Sequence, residues 1–508
     1  MSIKPIAISS TLNDSLQRSI FKSKNKKYLF STVPMEFKYE YNSRNPHPAY
    51  NGSMLPSKGS QLILAPGIGV TAPFLEAQFQ PEIFYTENLG YPGFPQMTEE
   101  ALKTWPNSKR WSSMYRWYNQ IDLPESFGSQ SSTTVLPGQS FVKAKYRNIS
   151  VGVSTQNLWW GPGKYNSLVL SNNARGFMHF SLETDSPLIL PFGSIEFQLI
   201  SGKLINSGFL PPDTAQVNRG SKLYQPKPEL DRYLNGLTIV YQPHWVSGLY
   251  LGVNAAIQQY SETANFYNDY MPVLTDPIGF GKHRKDTLIR QQISSVFFRW
   301  VWPLSEIYFE YGRNNASWKL KQLRINPQLD AAYIFGFTKL VPLKKTNTFL
   351  EFNIELTQLQ QPADVQIAQG TPRSWYIHPT IRQGYTNYGE VLGSRAGPGG
   401  NIQILEVSRV HNLNKLGFYF ERFVHNNDFV YLTFNGSMGG DFRNYWVDYL
   451  FGLQSNLSIN RFIVNSKLSY IRSLNYQWEI VPGEPYFGKG SGIDTNNFNF
   501  SCNVSYLF

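Results

Sequence analysis

The chain has 508 residues, 16 % of them charged and 15 % aromatic (35 Phe, 31 Tyr, 12 Trp), with a formal net charge of +11. Ordinary soluble domains carry ~25 % charged residues and disordered chains are poor in aromatics, so this composition fits neither. No run of about 18 apolar residues is present, which excludes spanning helices; with many aromatics and a mean hydropathy of −0.33, the make-up is that of a membrane β-barrel, aromatic at two interfaces and polar in its lumen.

Residues 1–28 read as an N-terminal periplasmic arm or helical segment, because Leu12, Leu16, Ile20 and Phe21 fall at rough helical spacing. Residues 1–12 hold no apolar stretch of the ~7–15 residues found in a secretory signal. The basic cluster Lys22 to Lys27 reads as a solvated flank. From residue 29 to 508 the pattern is all-β. Val33, Met35, Phe37, Tyr39 and Tyr41 alternate with Pro34, Glu36, Lys38 and Glu40. Leu75, Ala77, Phe79, Pro81, Ile83 and Tyr85 alternate with Glu76, Gln78, Gln80 and Glu82. At the far end Phe498, Phe500, Cys502, Val504, Tyr506 and Phe508 alternate with Asn499, Ser501, Asn503 and Ser505. That last run is about as long as a tilted spanning strand and ends on Phe.

The same period of two places strands near 33–41, 60–70, 74–85, 139–147, 149–157, 176–186, 193–203, 234–244, 248–261, 291–302, 305–314, 328–341, 347–359, 400–412, 415–424, 446–459, 462–474 and 497–508. These predict a transmembrane antiparallel barrel of about 18 strands, an even number as in bacterial single-chain barrels. Connections after even strands are tight, as at Thr71–Ala72–Pro73, Asn148, Trp245–Val246–Ser247, Pro303–Leu304, Leu413–Asn414 and Asn460–Arg461. Those after odd strands are long. The pattern predicts short periplasmic turns, long extracellular loops and both termini on the periplasmic side. A strand at 374–384 would break this parity and is rejected. Segment 98–120, in a long loop, looks helical in part.

Cys502 is the single cysteine and the seven His are scattered, so neither a disulfide nor a Cys-based metal site is expected, and no cofactor. The basic balance favours acidic partners. Because the charges are interspersed and not patched, nucleic acid is not among them. Glu390, Asp428 and Asp441 are the acids that could converge for glycoside hydrolysis, but acids in loops are usually just solvated; no GxSxG of an esterase occurs either, and the chain reads as non-enzymatic.

Two loops are dense in Gly, Pro and aromatics. One holds Asn157-Leu158-Trp159-Trp160-Gly161-Pro162-Gly163 and Ser167 to Ala174, with Asn172 and Asn173. The other holds Trp375-Tyr376-Ile377-His378, Gly384-Tyr385-Thr386, Gly389, Leu392-Gly393 and Gly397-Pro398-Gly399-Gly400-Asn401. The stretches NLWWGPG…SLVLSNNA and GYTNYGEVLGSRAGPGGN resemble the capsule-assembly Wzi family of outer-membrane proteins. With the strand plan the resemblance covers about residues 30 to 508. It implies an 18-stranded outer-membrane barrel with periplasmic helical elements and a lectin-like role, holding capsular or extracellular polysaccharide at the cell surface.

The residues allow the same role. Aromatic rings stack on the CH faces of sugars, and Arg, Lys, Asn or His bind hydroxyls and carboxylates. Trp159, Trp160, Lys164 and Arg175 supply both kinds of group in the first loop. Trp375, Tyr376, His378, Arg382, Tyr385, Tyr388 and Arg395 supply both in the second. The glycines and prolines of the motifs read as structural. Expected partners are an acidic polysaccharide, outer-membrane lipid and lipopolysaccharide, with a monomeric barrel. The rival reading is a porin or transport channel, since eighteen strands enclose an aqueous pore.

Overall fold

The structure is a computed structural model; it describes residues 19–22, 28–47, 52–91, 93, 114–218, 220–263, 289–315, 318–362, 374–434, 445–478 and 493–508. Its main body is a closed antiparallel barrel of 18 strands. In chain order these are β1 Leu29–Asn42, β2 Gly59–Ala72, β3 75–86, β4 132–146, β5 Ile149–Ser154, β6 179–190, β7 Gly193–Leu204, β8 Arg232–Pro243 and β9 Leu249–Tyr260. They continue as β10 Arg290–Trp302, β11 Ser305–Asn314, β12 Ala331–Pro342, β13 Thr348–Gln358, β14 Asn401–His411, β15 Asn414–Val424, β16 Val447–Ile459, β17 Phe462–Leu474 and β18 Thr495–Tyr506. Each pairs with its neighbour in sequence, and β1 pairs with β18 to close the wall (Met35 opposite Tyr506, Asn42 opposite Asn499).

The ladder is irregular where proline stands. The β1 register shifts between Val33 and Glu36, across Pro34. β3 is interrupted at Pro81, β4 at Pro137 and β6 at Pro187. A residue without an N–H cannot donate to the ladder, so the strand bends or restarts there.

Alternation sorts the side chains. Phe418, Leu453, Leu468 and Phe500 stand in register across four strands and face outward. Exposed aromatics flank the tight turns: Phe74, Tyr146, Phe192, Trp245, Trp302 and Phe462. An apolar band edged by an aromatic girdle is the surface a bilayer requires. The inward set is polar, with Asn235, Asn254, Gln258, Gln291, Ser295 and Asn353 all buried. Turns after even strands are short, two residues at 412–413 and 460–461, where Asn412 and Asn460 adopt φ of 52° and 53°. Asn tolerates that left-handed conformation better than most residues. The opposite end carries the long connections, including helices α1 Leu320–Ile325 and α2 Asn427–Phe434.

One expectation is corrected. Ile20 and Phe21 lie not in a helix but in the short strand Ser19–Lys22, paired antiparallel to the start of β1; Leu12 and Leu16 lie outside the described residues. Of segment 98–120, only 114–120 is described, with a helical turn at 114–118. Residues 374–384 form turns and bends.

Candidate functional site: an inward-folded plug and the slot above it

Both motif loops fold into the lumen. They follow β5 and β13, run inward from the long-loop end and bond to each other. The Ser171 N–H donates to the Leu392 carbonyl (2.8 Å), Asn173 Nδ2 to that of Val391 (2.8 Å), Asn387 Nδ2 to that of Arg175 (3.1 Å) and Ser394 Oγ to Asn166 Oδ1 (2.7 Å). Together they reach opposite walls. Arg232 of β8 donates to the Gly384 and Thr386 carbonyls (3.0 and 2.8 Å). Glu355 of β13 accepts the backbone N–H groups of Lys164 (2.8 Å) and Tyr165 (2.9 Å). The Tyr165 hydroxyl donates to Glu406 of β14, and Arg395 pairs with Glu421 of β15.

The sequence-predicted residues divide by burial. Trp160 is 0 % exposed; its indole N–H donates to Gln198 Oε1 on β7 (2.8 Å). Its ring fills a notch at Gly236 of β8, where a Cβ would lie 2.7 Å from the ring. Trp375 is also 0 % exposed, with its indole N–H on the Asp330 carbonyl (3.1 Å) and its ring in the matching notch at Gly312 of β11 (2.8 Å). The Tyr376 hydroxyl donates to the Leu168 carbonyl (2.8 Å), and its ring stacks on Tyr385 at 5.8 Å. The faces of these four rings are covered by protein, so they pack the plug and offer no platform to a sugar; this corrects the expectation for Trp160, Trp375, Tyr376 and Tyr385. His378 is buried too, with Nδ1 accepting the N–H of Ile381 (3.0 Å) as a local turn cap.

Trp159, Lys164, Arg175, Arg382 and Tyr388 are half-buried. Lys164 Nζ pairs with Glu351 (2.9 Å). Arg382 Nε donates to the Asn119 carbonyl (3.1 Å). Arg175 lies over the Tyr388 ring at 4.4 Å and acts on Glu390. Burial drives the Glu390 carboxyl well above the usual carboxylate range, against the pull of Arg175, and its Oε2 has no hydrogen-bond partner among the described residues. Burial likewise lowers the Arg175 guanidinium. Of the other acids considered for hydrolysis, Asp428 accepts the Gln361 N–H (2.9 Å) and the Ser374 hydroxyl (2.6 Å), whereas Asp441 lies outside the described residues.

Most of the motif glycines, Gly161, Gly163, Gly384, Gly389, Gly393 and Gly399, are buried in the plug, as is Pro162. Gly397 and Pro398 are different: they line a cavity of about 180 Å³ on the long-loop side. Its walls include Trp117, Phe423, Phe429 and Trp478, with Arg395, His425 and Asn426 as polar members. His425 lies between the rings of Phe423 (3.8 Å) and Trp446 (3.7 Å) and pairs with Asp448 (2.8 Å). The sequence reading did not single out Trp117, His425, Phe429, Trp446 or Trp478. The one available signal was aromatic pairing behind Asn, as in Asn444-Tyr445-Trp446 and Asn475-Tyr476-Gln477-Trp478. A larger chamber of about 390 Å³, lined by Lys38, Glu406, Gln454, Asn465 and Lys467 among others, lies at the short-turn side of the plug.

Comparison with known proteins agrees with the sequence motifs. The family model "Capsule assembly protein Wzi" matches residues 77–269, which includes the first motif loop. Among curated proteins no match was found. Among solved structures, Escherichia coli Wzi, described as an outer-membrane protein involved in group 1 capsule assembly and a carbohydrate-binding β-barrel, aligns at 13 % identity. The alignment covers 93 % of this chain and 84 % of that one, with a TM-score of 0.58. Pseudomonas aeruginosa OccD3 aligns over 99 % of this chain and 98 % of its own at 9 % identity, with a TM-score of 0.43. Motifs, family model and fold thus concur on the Wzi capsule assembly family as the one this chain is similar to.

Proposed function

We propose that this chain is an outer-membrane barrel that holds capsular or extracellular polysaccharide at the cell surface without altering it chemically. The observation that carries this reading is the plug: both signature loops fold into the lumen and bond to its wall, which suits a binding scaffold better than a conduit. The carbohydrate binding described for Escherichia coli Wzi supports the ligand class. The long connections then face outward, the short turns face the periplasm, and lipid and lipopolysaccharide surround the apolar band. The +11 charge favours an acidic glycan. Retention comes from many weak contacts along one polymer, where effective concentration replaces single-site affinity. A monomer suffices for this.

The channel reading makes the opposite prediction. Purified barrel in a planar bilayer should conduct little or no current while binding polysaccharide in a pull-down. Steady open-pore conductance with no polymer retained would reverse the assignment. Fragments released from the incubated polymer would point to an enzyme.

A further inference from the structure

We propose that the long-loop cavity between Trp117, Phe429 and Trp478 is a subsite for one pyranose ring of the retained polymer. This rests on the polysaccharide-binding reading above and deepens it.

Trp478 is 7 % exposed, and its indole N–H, buried from water, has no acceptor among the described residues. Two indoles of the plug at fully buried positions, Trp160 and Trp375, each have one. An unmatched buried donor costs free energy that a ligand oxygen would recover. The backbone there is strained as well: Asn475, Gln477 and Trp478 have φ of 54°, 52° and 57°, and none is glycine. Such a run persists where the surroundings enforce it, which is common at ligand sites.

The space fits one ring. About 180 Å³, room for several waters at ~30 Å³ each, is enough to take one sugar ring. The lining has the mixed character that sugar faces and edges require: rings of Trp117, Phe429 and Trp478, with Arg395, His425 and Asn426 beside them. Gly397 and Pro398, from the second signature loop, form part of the wall, which ties the slot to the plug beneath it.

The test uses the full-length chain in detergent and oligosaccharides cut from the surface polysaccharide of cells that make it. Binding is read by retention and by tryptophan fluorescence. Trp478→Phe and Trp117→Ala should each weaken binding about three- to tenfold, and Trp478→Phe should remove most of the ligand-induced fluorescence change. Trp245→Ala, exposed at the short-turn end, should bind as wild type. Heat-modifiable mobility on gels checks folding; should a Trp478 variant fail it, Trp117→Ala, at a half-buried position, decides alone. If wild type binds and the slot variants bind equally, the slot is a packing void and the proposal is overturned while the anchoring role stands. If wild type binds nothing, the anchoring reading fails and takes the slot with it.

Discussion

Trp160 and Trp478 are both buried tryptophans in connections at the same end of the barrel, and they differ in what their indole meets. Trp160 has a shaped notch at Gly236 and an acceptor in Gln198. Trp478 borders a cavity and donates to no described acceptor. Around Trp160 the interior is close-packed and the indole is hydrogen-bonded; around Trp478 empty volume and an unmatched donor remain. The contrast teaches that aromatic density in the sequence marks packing as readily as binding, and that residual unsatisfied space tells the two apart.

The comparison can be broken at several points. The largest expected effect is Trp160→Ala, which removes a filled notch and should cost the plug about 3–5 kcal/mol. The wall keeps its ladder, so the barrel should still fold on gels while bilayer conductance rises above wild type. Gly236→Val attacks the same contact from the wall; overpacking against the ring should cost about 1–3 kcal/mol, read as a lower thermal midpoint of heat-modifiability. Phenylalanine at each tryptophan sharpens the contrast. Trp160→Phe leaves Gln198 without its donor and should cost about 1 kcal/mol for that bond, whereas Trp478→Phe removes a donor with no acceptor among the described residues and should cost less than Trp160→Phe.

The smallest effect concerns pH. Burial raises the Glu390 carboxyl above its ordinary value of 4.5, so the folded plug holds this proton more tightly than the unfolded loop does. Its contribution is therefore most favourable below about pH 4.5 and is lost as pH rises from there toward the folded value. Glu390→Gln should flatten that part of the stability profile, measured as the thermal midpoint at successive pH values, and should leave it unchanged at the acid end.

The wall was legible because its physics is local. Period-two alternation, tight Asn and Pro turns and the parity of loop lengths set strand number and order, and the rejected strand at 374–384 follows from parity alone. The breaks at proline in β1, β3, β4 and β6 were not read: Pro34 and Pro81 passed as ordinary positions of an alternating strand. The helical reading of the arm, drawn from the spacing of Leu12, Leu16, Ile20 and Phe21, fails at Ile20 and Phe21, where backbone pairing of Ser19–Lys22 with β1 outweighs it. The plug was not legible, because the direction of each motif loop depends on small residues far off in sequence, Gly236 for Trp160 and Gly312 for Trp375. The slot was less legible still. Trp117, Phe429, Trp478 and Gly397 come from four different connections, and no spacing announces their convergence.

The most direct test of the central claim is the partition of surface polysaccharide between cells and medium, with and without this protein. Retention by a plugged, binding barrel predicts unchanged total polymer that shifts into the medium on deletion and returns to the cells with the wild-type chain. Unchanged attachment after deletion would contradict it.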